Sequence, residues 1–174
     1  MTGLTQFIAA IRKSTNQEQE SKIVHDEMSK IKSKFISKRN MSSYDRKKYV
    51  LKLLYIKLLG YRVDFGQKQI LSLIQGVKYS EIYSGCITAA SLIPESEEEI
   101  YQKVLKSIAS HMFSPQNEIQ TVALSFIGGL ANKVLAQGLV NEIMKLALGE
   151  SSKITIFIRK KVTICFIILK IYIK

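Results

Sequence analysis

The chain has 174 residues, 47% of them hydrophobic, with 26 Lys+Arg against 14 Asp+Glu and a formal net charge of +12. That apolar fraction is enough for a packed core and excludes a disordered tail, while 9 Gly and 2 Pro exclude collagen-like and turn-rich all-β chains. The charge points to a polyanionic partner: nucleic acid, an anionic membrane face or an acidic protein.

The pattern along the chain is helix after helix. Residues 5–14 and 17–36 read as two opening helices. The first eleven residues lack the basic start and small-residue cleavage site of a signal peptide. Residues 43–60 follow, with Val50, Leu51, Leu54 and Leu58 at helical spacing, Ser43 as N-cap and Gly60 as the stop. A short helix over 67–75 carries Ile70, Leu71, Leu73 and Ile74, and the next runs 79–93 and closes at Pro94.

Ser96 with Glu99 three residues on predicts a capping box for a helix over 97–113, whose apolar face is Ile100, Val104, Leu105 and Ile108. Ser114-Pro115 breaks the chain; helices over 118–131 and 137–148, a loop at 149–152 and one more helix complete it. That last helix is rich in β-branched residues and apolar on every face, which places it in an interior. Its best apolar run, residues 162–173, is 12 residues long and holds Lys170, so it falls short of the roughly 20 residues a spanning helix needs.

The first helices of successive pairs begin near Ser43, Tyr79, Asn117 and Lys153, a period of 36 to 38 residues. Helix pairs repeating at that interval predict an all-α fold, an α-solenoid of antiparallel helix pairs of the ARM/HEAT kind. The expected division is N-terminal helices over 1–42, helix pairs over 43–78, 79–116 and 117–152, and the start of a further, truncated repeat over 153–174. Solenoid ends carry a polar capping face, and the last helix has none. The expectation is therefore a longer parent protein, with self-association through this helix.

Charge is segregated. Residues 30–62 hold eleven basic residues and one acid, Asp45, whereas residues 63–150 carry −3 and residues 151–174 have six basic residues and no acid. Catalytic chemistry finds little support. His25 and His111 sit in no metal motif, no glycine run has P-loop spacing, and Glu97, Glu98 and Glu99 open a helix, where they suit its dipole. Gly128-Gly129 reads as a mid-helix close-packing site, and Tyr55 and Tyr61 as packing residues. Cys86 and Cys165, 79 positions apart, read as buried thiols in a reducing compartment. No catalytic residue, metal or cofactor is expected.

The basic segment is the informative one. Tyr44, Lys48 and Lys52 at i, i+4, i+8 form one stripe of a helix, flanked by Lys47 and Tyr49, with Lys34 and Lys38 contributed by the preceding helix end. Converging lysines with tyrosine hydroxyls near a helix start suit a phosphorylated headgroup. The same stripe would also suit stacked single-stranded bases, so a helical-repeat nucleic-acid-binding or transport-receptor module is the competing reading. The confinement of the charge to one end speaks against it, and no nucleic acid is expected.

The run from Tyr44-Asp45-Arg46-Lys47-Lys48-Tyr49-Val50-Leu51-Lys52 through Gly60-Tyr61 resembles the large chains of heterotetrameric clathrin adaptors. Val63-Asp64-Phe65-Gly66, Gly3-Leu4 through Ile11-Arg12, and Ile31-Lys32-Ser33-Lys34-Phe35 fit the alpha-adaptin type best, the gamma type next. The resemblance covers residues 1 to about 169, strongly over the first 66. It implies the N-terminal part of a helical trunk, without hinge or appendage, in vesicle transport and endocytosis.

By position, the resemblance implies phosphoinositide binding by Gly3, Lys34, Tyr44, Lys47, Lys48, Tyr49, Val50, Leu51 and Lys52, and a sorting-signal contact at Arg12. Thr2 stands where alpha-type chains carry an arginine. The implied partners are a small sigma chain, a medium mu chain, a beta-type large chain and dileucine-type cargo tails. The implied place is peripheral, on the cytosolic face of plasma-membrane coated pits, or alternatively Golgi or endosomal membrane.

Overall fold

The computed structural model describes residues 3–37, 41–94, 96–129, 133–148 and 155–173. Lys38, Arg39, Lys153 and Thr2 lie outside them. Among the described residues every regular element is a helix: α1 Leu4–Arg12, α2 Gln17–Ser37, α3 Ser43–Leu58, α4 Gln67–Ile74, α5 Tyr79–Leu92, α6 Glu98–Met112, α7 Asn117–Gly129, α8 Lys133–Ala147 and α9 Ile156–Ile173.

The helices form two rows. α3, α5, α7 and α9 pack side by side in one, and α4, α6 and α8 in the other. Chain neighbours α4 and α5, α6 and α7, α8 and α9 join the rows, and α1 and α2 close the start against α3. One continuous apolar core runs from Ile31 through Ile74, Ile108 and Leu139 to Leu169, with a smaller cluster of Phe7, Ile11, Val24 and Ile56 under α1. This is a helical solenoid: each pair leaves an apolar face that only its neighbour covers.

Local chemistry sets the boundaries. Gly60 has φ 95°, its N–H donates to the Lys57 carbonyl and that of Tyr61 to Ile56. This is a Schellman stop for α3, with glycine at the left-handed position as the sequence predicts. Gly66, φ 104°, caps α4, and a Cβ there would lie 2.7 Å from Leu53 Cδ1.

Several expectations are corrected. The N-cap of α3 is Ser42, whose hydroxyl accepts from the Asp45 N–H, and Ser43 is already helical. The Ser96–Glu99 capping box does not form. Glu97 is the N-cap of α6, its carboxylate accepts a hydrogen bond from Gln67, and its own N–H donates to Pro94. α8 already includes Lys133, four residues before the expected Gln137, and its inward stripe includes Leu135 and Ala136.

The buried face of α3 is Tyr49, Val50, Lys52, Leu53 and Ile56; Leu58 is exposed. Gly128 and Gly129 are the last described residues of α7, and among the described residues a Cβ at either would meet nothing closer than 3.7 Å, so neither is a close-packing site. That role falls to Gly85 of α5, where a Cβ would lie 2.8 Å from the Ile74 backbone nitrogen of α4. Cys86 and Cys165 are free and buried. Among the described residues no helix is long and apolar enough to cross a membrane, and no three His, Cys, Asp or Glu residues could hold a metal ion together.

Candidate functional site

The basic segment folds as the end of α2 and the start of α3. Ser42 caps α3, Arg46 donates to the Met41 carbonyl at 3.3 Å, and Asp45 sits in the first turn, where its charge complements the helix dipole. The side chains of Asp45 and Lys48 pair at 2.7 Å.

The Lys48 ammonium also lies 5.6 Å from the centre of the Tyr44 ring and 4.8 Å from that of Tyr49, so two aromatic faces and one carboxylate hold it. Its hydrogen bond to Asp45 raises its pKa above the ordinary lysine value, outweighing the opposing effect of burial, and it is charged at any physiological pH. Lys47, on the adjacent face, donates to Ser80 at the start of α5 at 3.1 Å. Tyr44 projects outward, 72% exposed.

The antiparallel packing of α2 on α3 brings Lys34 to the same end, since its neighbour Phe35 meets Tyr49 edge-on at 6.1 Å. Lys34 thus lies in the last turn of α2, and Tyr44, Lys47 and Lys48 lie in the first turns of α3, at the same end of the two helices. Beside them a hollow of about 260 Å³ is lined by Phe35, Met41, Arg46, Lys68, Gln69 and Ser72. Sequence reasoning missed Lys68; it enters only because α4 folds back next to α3.

The structure does not set the whole expected stripe on one outer face. Lys52 is 0% exposed, its ammonium 2.5 Å from Glu27 of α2 and 5.4 Å from the centre of the Phe7 ring. Tyr49 and Val50 are core residues, and Leu51 is half-buried. The physical reason is register: Lys52 stands one position from Leu53 and three from Tyr49, on the side of α3 that packs against α1 and α2. Gly3 is the exposed N-cap of α1, one turn before Phe7, and its N–H donates to the Gln6 side chain at 3.2 Å.

Arg12 is exposed in the last turn of α1. It lies toward the other end of α3, because α2 begins a few residues on and its Glu20 accepts from the Tyr61 hydroxyl there. α3 has 16 residues, so its two ends are about 24 Å apart at 1.5 Å per residue.

Stacked helix pairs with one continuous core place the chain among the α-solenoid, helical-repeat proteins. The chain belongs to the adaptin family: residues 20–173 match its Adaptin N terminal region. It is 34% identical over 152 residues to the AP-2 complex subunit alpha-2 of Dictyostelium discoideum, covering 87% of this chain and 15% of that protein. It is 32% identical over 167 residues to the AP-2 complex subunit alpha-1 of Arabidopsis thaliana (96% and 16%). With the AP-2 complex subunit alpha of Schizosaccharomyces pombe the figures are 37% over 153 residues (88% and 17%). The chain is therefore alpha-adaptin-like, and it spans about one-sixth of the length of these relatives.

Proposed function

We propose that the chain is a trunk segment of a clathrin-associated adaptor, a scaffold rather than an enzyme, which holds an anionic phosphoinositide headgroup at the joined ends of α2 and α3. The observation that carries the reading is that Lys34, Tyr44, Lys47 and Lys48 lie at the same end of α2 and α3, in a family member whose relatives are named as AP-2 alpha subunits. Lys47 and Lys48 supply charge, and the Tyr44 hydroxyl supplies a donor. The Asp45 partner of Lys48 is exchanged for phosphate when the headgroup binds. The neighbouring Arg46 and Lys68 extend the cationic surface around the hollow.

Lys52, Tyr49 and Val50 support this surface from inside by fixing α3 against α1 and α2, and Leu51 and Gly3 border it. Arg12, at the other end of α3, serves a separate contact with the acidic residue of a dileucine-type cargo signal. Small sigma, medium mu and beta-type large chains are the proposed partners, and the cytosolic face of plasma-membrane coated pits the proposed place of action. Two parallel assays test the reading: sedimentation with liposomes carrying a multiply phosphorylated phosphoinositide, and a gel shift with single-stranded oligonucleotides. Liposome binding without a shift is expected; a shift without liposome binding would favour the nucleic-acid module instead.

A further inference from the structure

A trough of about 380 Å³ runs between α5 and α7. Its high wall is Tyr79, Tyr83 and Ile87, at i, i+4, i+8 along α5 and each more than a third exposed. Its low wall is Thr121, Ser125 and the end of α7, and Cys86 and Phe126 form the apolar floor. The Tyr79 and Tyr83 rings stack with centroids 5.8 Å apart and planes 19° apart, which makes the wall a stiff, preformed surface.

Cations stand at the rims. Lys161 of α9 donates to Ser125 at 2.6 Å, and Lys47 donates to Ser80, the residue after Tyr79. Among the described residues no carboxylate lines the trough. Glu81 of α5 is buried toward α4 beside Gly76, and the exposed acid on these two helices is Glu118, in the first turn of α7.

We propose that this trough receives an amphipathic helix of a partner protein, apolar on the face that enters and acidic beside it. Both walls are helices whose backbone groups are already paired, so no strand edge is offered and the mode is helix-in-groove. The wall residues recur every turn, the spacing of the side chains on an incoming helix. The charge selects the partner: with Lys47 and Lys161 at the rims and a chain of net charge +12, a second copy would meet like charge, whereas flanking glutamates complement both rims.

The test uses a fluorescein-labelled helical peptide with leucines at i, i+3, i+4 and i+7 and glutamates flanking them, beside a twin with lysines in place of the glutamates. Fluorescence anisotropy should show saturable binding of the acidic peptide only. Lys161→Glu should weaken it about tenfold. Ile87→Asp, on an exposed site, should abolish it while circular dichroism and liposome binding stay unchanged, which keeps this test separate from the lipid reading. Amide shifts in the wild type should centre on Tyr83 and Ile87. Equal binding of both peptides, binding of neither, survival of binding in Ile87→Asp, or displacement of the peptide by unlabelled chain would each overturn the proposal.

Discussion

Lys52 and Glu27 form an ion pair inside the protein, Nζ to Oε1 at 2.5 Å, and it ties α3 to α2 beneath the Phe7 ring. Removing one partner of a buried pair strands the other charge, which costs about 3–5 kcal/mol, whereas replacing both by apolar groups of similar size is near neutral. Lys52→Ala should therefore lower the urea-unfolding free energy by that amount. Lys52→Met combined with Glu27→Leu should restore most of it. A Lys52→Ala protein as stable as wild type would show that the pair is not structural.

Gly85 should tolerate no side chain. The Ile74 backbone nitrogen stands 2.8 Å from the position of its Cβ, and backbone cannot step aside as a side-chain tip can. Gly85→Ala should cost about 1–3 kcal/mol by overpacking α4 against α5. Among the described residues, a Cβ at Gly138, inside α8, would meet only Leu105, at an ordinary 3.5 Å, so Gly138→Ala should gain about 0.5–1 kcal/mol. Thermal unfolding of the two variants should shift in opposite directions.

Burial pushes the Cys86 thiol up to about 12 from an ordinary 9.0, and raises that of Cys165 for the same reason. Between those values the unfolded chain releases the Cys86 proton and the folded one keeps it. Its contribution to stability is thus complete below pH 9 and is lost as pH rises toward 12. Both thiols should resist iodoacetamide at pH 8 until urea unfolds the chain, and the urea midpoint should fall between pH 9 and pH 11. Fast native alkylation would contradict this.

On α9, Ile158, Val162, Cys165 and Leu169 face the core, while Ile156, Ile164, Ile167 and Ile171 on the opposite side are each more than half exposed. Contiguous apolar surface of this kind drives association. The isolated chain should self-associate in sedimentation velocity, and Ile167→Glu with Ile171→Glu should return it to monomer. A wild type that stays monomeric at high concentration would refute the role of this face.

Much of this fold is legible in the sequence because its signals are local. The left-handed glycine at Gly60, the 3.6-residue rhythm that buries Ile70, Leu73 and Ile74, and the apolar neighbours of the two cysteines all act within a turn or two. The candidate site is less legible because direction around a helix decides it. A stripe of Tyr44, Lys48 and Lys52 fits the i, i+4 rule, yet Tyr49, Leu53 and Ile56 turn Lys52 inward. A signal for its partner exists: Glu27 lies in the inward stripe of α2 between Val24 and Ile31, where an acid demands a buried cation. Ser96 and Glu99 carry capping chemistry, but the tie from Glu97 to Gln67, thirty residues away, fixes that turn differently.

Liposome sedimentation of three proteins separates the outer cations from the buried pair: wild type, Lys47→Ala with Lys48→Ala, and Lys52→Met with Glu27→Leu. Each cation near an anionic membrane contributes about 1 kcal/mol, so losing the outer pair should weaken phosphoinositide binding roughly thirtyfold. Replacing the inner pair should leave binding at the wild-type level, and raising salt should weaken all three, since exposed charges are screened beyond about 8 Å at physiological ionic strength. Wild type should prefer a multiply phosphorylated headgroup over phosphatidylserine matched for total charge. Full binding by the Lys47 and Lys48 variant, or loss of binding only when Lys52 is replaced, would rule out a headgroup site at the ends of α2 and α3.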